Sequence, residues 1–136
     1  MQKRGQVSIE YLLLMGFALI AILGAAALAF LSFSDFEQSV RENQVQSSLQ
    51  SIVEQSQLVY GIGPNSFRVI TITLPTNVDQ ILIAQNTITA RMHTSGGLND
   101  IVFFSTVPLQ GTIDAQRGTK TLRVTAFDNH VQIEQI

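Results

Sequence analysis

The sequence predicts an α+β fold: one long N-terminal hydrophobic α-helix followed by a small antiparallel β-sheet head. Three observations carry that expectation. From Tyr11 to Phe33, 23 positions, no charged residue occurs. No proline interrupts residues 7–60, and the segment closes on the stop signal Gly61-Ile62-Gly63-Pro64-Asn65. Threonine is missing from residues 1–70 and then occurs eleven times between Thr71 and Thr125. Threonine suits strands and disfavours helix interiors, because its β-branch restricts χ1.

The helical zone has two halves. Residues 6–34 are apolar all round from Tyr11 on, so every face needs cover from lipid or from other helices. About 20 apolar residues cross a bilayer core as a helix. Residues 35–60 turn amphipathic: Val45, Leu49, Ile52, Val53, Leu58, Val59 and Tyr60 recur near helical spacing among Gln, Ser and Glu. That stripe is suited to packing on a β head or on a neighbouring helix. At about 1.5 Å per residue such a helix is roughly 80 Å long, more than a bilayer needs, so its second half projects into water.

Residues 61–136 read as five to seven short antiparallel strands. Ile70, Ile72 and Leu74 alternate with Thr71 and Thr73, Ile88, Ala90 and Met92 with Thr87, Thr89, Arg91 and His93, and Leu122, Val124 and Ala126 with Thr121, Arg123 and Thr125. Ile101 to Phe104 is a continuous apolar run and predicts a more buried strand. Turns are expected at Pro75-Thr76-Asn77, Ser95-Gly96-Gly97, Gln110-Gly111, Arg117-Gly118 and Asp128-Asn129.

Charge and composition narrow the function classes. The formal net charge is −2, and residues 61–136 carry five cations against five carboxylates, so no basic field points to nucleic acid. There is no cysteine, which removes disulfides, thiol catalysis and cysteine metal sites. No Asn-x-Ser/Thr sequon occurs. His93 and His130 are the only histidines and lack further ligands at metal spacing, so they read as surface residues. Asp128 reads as part of a hairpin turn, and Ser105 lacks the glycines of a nucleophile elbow. No cofactor and no enzymatic activity are expected.

The most informative stretch runs from Lys3 to Leu14. A basic pair, Lys3-Arg4, precedes Gly5, a short polar stretch and then the apolar run. Basic residues stay on the cytoplasmic side, which puts the C-terminal part outside. Glu10 stands on the threshold of the run, where an ionisable group is costly and usually paired or functional. Ala18, Ala21, Ala25, Ala29 and Ser32 form a ridge of small residues at i+3/i+4 spacing. Such a ridge permits close helix packing, although alanine is also simply a good helix former.

Gln6, Ser8, Glu10 and Leu14, after Gly5, fit the pattern Q-x-S-x-E-x-x-x-L. This stretch resembles the class III signal peptide of archaeal type IV pilin precursors. The Glu10-Tyr11 pair also resembles that of Flp-type pilins, from which the appended head is a departure. The resemblance implies a leader of residues 1–5, cut between Gly5 and Gln6 by a prepilin peptidase. It further implies assembly by a cytoplasmic ATPase and a membrane platform protein into a homopolymeric extracellular filament. Residues 6–34 would form the filament core and residues 61–136 its outer head, for surface adhesion.

Rival readings of the same residues remain. A secretory signal peptide would use Lys3-Arg4 and the A-x-A-like Ala27-Leu28-Ala29, but its apolar region would be overlong and Glu10 unexplained. A single-pass anchor carrying a surface-binding domain fits length and charge equally well and gives Gln6, Ser8 and Glu10 no role. A minor pseudopilin lies between the two.

Overall fold

The computed structural model describes residues 3–136, with side chains from residue 8 onward except Ser34 and Asp35. Helix α1 spans Lys3–Ile62, and five strands follow: β1 Phe67–Leu74, β2 Val78–Thr94, β3 Gly97–Gly111, β4 Gly118–Ala126 and β5 Val131–Gln135. The chain divides into two compact units, one ending at Glu37 and the other comprising Gln38–Ile136. The fold is therefore α+β, as composition and periodicity predict.

In the second unit, the stretch of α1 from Gln38 onward packs on one face of the sheet. Val45, Leu49, Ile52 and Val53 are buried together with Ile72, Leu74, Ile88, Met92, Leu109, Leu122 and Val124. Polar contacts stitch the two layers. The Ser48 hydroxyl donates to the Thr73 carbonyl at 3.1 Å, Arg68 donates to Gln55 at 2.7 Å, and the Ser95 hydroxyl donates to the Gln38 amide oxygen at 2.6 Å. The helix stops where expected. The Ser66 hydroxyl donates to the Val59 carbonyl at 2.7 Å, taking up one of the last-turn acceptors, and Gly63 turns the chain at φ 120°.

The helical stripe needs one correction. Leu58, counted in the stripe, is 52% exposed, while its neighbour Val59 is fully buried. At about 100° per residue Val59 falls on the arc of Val45, Leu49 and Ile52, while Leu58 falls nearly opposite them. Leu49→Ala is expected to cost about 2–5 kcal/mol, and Leu58→Ala well under 1 kcal/mol. Thermal melts of the two variants that coincide would contradict this placement.

The sheet order is β1-β4-β5-β3-β2. All neighbours pair antiparallel except β3 and β5, which run parallel through Leu109↔Val131, Gln110↔Gln132 and Gly111↔Ile133. An all-antiparallel sheet was the expectation. Alternation reports which face is buried but not which strand lies alongside, so the parallel pair leaves no mark in the sequence. Gln110-Gly111 accordingly closes β3 and is not a turn. Its neighbour in space is the β5 backbone: a Cβ on Gly111, at φ 137°, would overlap the Ile133 carbonyl.

Strand β2 folds back on itself. A straight run of its 17 residues would extend about 55 Å. Yet the His93 amide donates to the Asn77 carbonyl and the Asn77 side-chain amide donates to the His93 carbonyl, both at 2.8 Å. The reversal lies at Ala84–Thr87, where Gln85 has φ 49° and the Thr87 hydroxyl donates to the Ala84 carbonyl at 3.0 Å. Inward positions change parity there, from Ile81 and Ile83 to Ile88, Ala90 and Met92.

The apolar run Ile101 to Phe104 is also corrected. It alternates: Ile101 and Phe103 pack against the core, while Val102 is 44% and Phe104 77% exposed on the outer face. The remaining turns fall as expected. Ser95-Gly96 joins β2 to β3, and Asp128-Asn129 lies in the β4–β5 hairpin, closed by the Phe127 amide donating to the His130 carbonyl at 2.8 Å.

Candidate assembly surface

The surface most in need of an explanation lies on the first unit. Every residue from Ser8 to Phe33 is exposed, including Phe17 at 74% and Phe30 at 80%. Soluble monomers rarely leave continuous apolar patches above a few hundred Å². A whole helical circumference of Leu, Ile and Phe therefore requires lipid or protein around it. By length and composition this segment is able to cross a membrane.

Helical geometry sorts the site residues. At about 100° per residue, Glu10, Leu14, Ala18, Ala21, Ala25, Ala29 and Ser32 fall within one arc of roughly 100°. Leu12, Leu19, Leu23 and Phe30 line the opposite side, and Ser8 belongs with them. The pattern residues thus do not share a face: Ser8 and Glu10 point to nearly opposite sides of α1. The small-residue face carries the one carboxylate at its head and leaves backbone close to any neighbour. Ser32 adds no unsatisfied hydroxyl to it, since its Oγ donates to the Leu28 carbonyl at 3.0 Å. The side chains of Lys3, Arg4, Gly5 and Gln6 lie outside the described residues, so the proposed cut is located only by its place in the chain.

The head offers little chemistry. Among the described residues no group of three or more His, Cys, Asp or Glu is placed to hold a metal ion. Some of its charges pair locally: Arg91 grips Asp100 through two bonds of 2.8 and 2.9 Å and Lys120 meets Asp114 at 3.0 Å, while the His93 ring hydrogen-bonds Asp79 at 2.9 Å. The hydrogen bond from Arg91 holds the Asp100 carboxyl below the usual carboxylate range. The Gln116 amide, with help from Lys120, does the same for Asp114. A lowered carboxyl contributes stability that is present above its ordinary range and is lost as pH falls through the folded value. The Arg91–Asp100 pair is exposed on both sides, and such bridges contribute little. Arg91→Gln is expected to return Asp100 to ordinary titration with scarcely any change in melting temperature. Carboxyl NMR of the detergent-dispersed chain reads this directly, and an unmoved Asp100 would refute the assigned cause.

Sequence reasoning did not anticipate an apolar stripe on the head itself, made by Leu98, Val102 and Phe104 on the outer side of β3. Comparison with protein-family models, with curated proteins and with solved structures finds no match.

Proposed function

We propose that this chain is a type IV pilin-like subunit: a membrane-held precursor, cut between Gly5 and Gln6, that polymerises into an extracellular filament. The observation that carries the proposal is the combination of Gln6, Ser8, Glu10 and Leu14 after Gly5 with a fully exposed, charge-free helical segment from Tyr11 to Phe33. In the precursor, lipid covers that segment, with Lys3-Arg4 on the cytoplasmic side and the head outside. In the filament, copies of the same segment cover one another, and the small-residue face allows close approach. The role is structural, with the head turned outward for adhesion. The partners are other copies of the chain, a prepilin peptidase, an assembly ATPase and a membrane platform protein.

Electron microscopy of sheared cell-surface material, with the subunit identified by mass spectrometry, tests the proposal. The expected N-terminus is Gln6. A chain that keeps Met1, or starts at Phe30 after the Ala27-Leu28-Ala29 site, would defeat the processing step. Gly5→Val is expected to accumulate as uncut precursor in the membrane, since a side chain there obstructs the peptidase cleft.

The competing reading is a monomeric anchor bearing a surface-binding domain, which the length of the apolar run and the Lys3-Arg4 pair fit equally. It predicts no filaments and full function for Glu10 variants. A minor pseudopilin would appear in such filaments only in trace amounts.

A further inference from the structure

We propose that the outer stripe of β3 is a filament contact: Leu98, Val102 and Phe104 of one copy seat on the exposed Leu58–Ile62 end of α1 in the next copy. The inference rests on the filament reading and adds a second, head-level interface to it.

The stripe is built by alternation. Leu98, Val102 and Phe104 occupy outward positions of β3 and are 62%, 44% and 77% exposed. Thr89 and Thr87 stand opposite Val102 and Phe104 on β2. The one outward charge interrupting the stripe, Asp100, is neutralised by Arg91 directly opposite it. The face is therefore apolar and hydroxyl-bearing, with no free cation. Across β2 and β3 the full charges are Asp79, Arg91 and Asp100, a balance of one negative charge. Binding to anionic lipid headgroups wants free basic residues, and the one full cation of β2 and β3, Arg91, is already paired with Asp100.

Area argues for a second copy held by another interface. Three partly exposed side chains offer on the order of a few hundred Å², whereas a stable complex buries about 800 Å² per partner. The stripe alone is too small to hold a soluble partner. It becomes effective where another interface already holds copies side by side, because the second contact then forms at high effective concentration. Polymerisation through the apolar helix supplies that condition.

The complementary surface lies on the same head. The helix covers the inner face of the sheet, so its own outer side is opposite the β3 stripe. On that side Leu58 and Ile62, one turn apart, are exposed, while Val45, Leu49, Ile52, Val53 and Val59 are buried. Two small apolar patches on opposite sides of one head make a heterologous pair, and such a contact repeats along a filament instead of closing a dimer.

The absence of native cysteine makes a clean test. A chain carrying Phe104→Cys and Leu58→Cys is assembled and treated with a short bismaleimide, then dissociated and run on a denaturing gel. The expected result is a ladder of dimers, trimers and higher species, absent from each single variant. The pair Val102→Cys with Ile62→Cys repeats the test at neighbouring positions. Intact filaments that give no ladder with either pair would overturn the proposal, as would dimers from Phe104→Cys alone, which mean a symmetric contact. Labelling of Phe104→Cys by a bulky maleimide as fast in filaments as in dispersed subunits would also overturn it, leaving the stripe open to an external ligand. Filament formation by the unmodified chain is scored separately, so failure of the contact is distinct from failure of the filament reading.

Discussion

Gly111→Ala is expected to unfold the head or bring it close to unfolding. Gly111 ends β3 at φ 137°, a conformation that side chains rarely adopt, and the new Cβ would overlap the Ile133 carbonyl, part of the β5 backbone. Backbone cannot rotate away as a flexible side chain does. Left-handed strain costs on the order of 1–3 kcal/mol and overpacking about as much again. Together these approach the ~5–15 kcal/mol that holds a typical domain. For a domain near 100 residues each kcal/mol lowers the melting temperature by about 4–8 °C. Gly118 is the control. Its φ is 128°, yet nothing lies within 4 Å of an added Cβ, so Gly118→Ala carries the conformational strain alone. Circular dichroism melts of both variants decide the matter: equal shifts would mean that the approach of β5 to Gly111 contributes nothing.

That glycine marks the limit of what the sequence discloses. The helix, its stop at Gly61–Asn65 and the inward sets of β1, β2 and β4 follow from periodicity, because burial on one face imposes it. Phe104 does not follow: it sits in a continuous apolar run whose pattern permits either orientation, and the partner surface decides. Leu58 is set outward by helical phase, which proximity to Val59 and Tyr60 masks. The reversal within β2 is hidden for a related reason. Ala84-Gln85-Asn86-Thr87 lacks a glycine, and Gln85 adopts φ 49° only because the flanking arms hold it there. The parallel meeting of β3 with β5 is a long-range choice with no local residue signal. For the assembly surface the position is reversed. The pattern Gln6, Ser8, Glu10, Leu14 is entirely sequence information, and helical geometry adds to it the shared face of Glu10 with the alanine ridge.

Glu10→Gln is expected to be inserted and clipped normally but to enter filaments poorly. On the proposed pilin-like reading, cleavage after Gly5 would create an α-amine on Gln6, protonated at neutral pH because its reference pKa is about 7.7–8.0. In a filament core of apolar helices that amine and the Glu10 carboxylate are each costly if left unpaired. Pairing Glu10 of an incoming subunit with the Gln6 amine of a neighbour offsets both costs and fixes the axial register. A pair within one chain competes, since the two residues lie about one helical turn apart. It leaves register unspecified, which is why assembly and not cleavage is the informative readout. Glutamine keeps the size and the hydrogen-bonding capacity but leaves the amine without a counter-charge. Removing one partner of a buried pair costs about 3–5 kcal/mol, or two or more decades in association constant. Filament yield is compared at matched levels of cleaved subunit, confirmed by an N-terminal peptide beginning at Gln6. Unchanged yield from clipped Glu10→Gln protein would place the carboxylate in the hydrated headgroup region and leave the apolar helix as the sole driver of polymerisation.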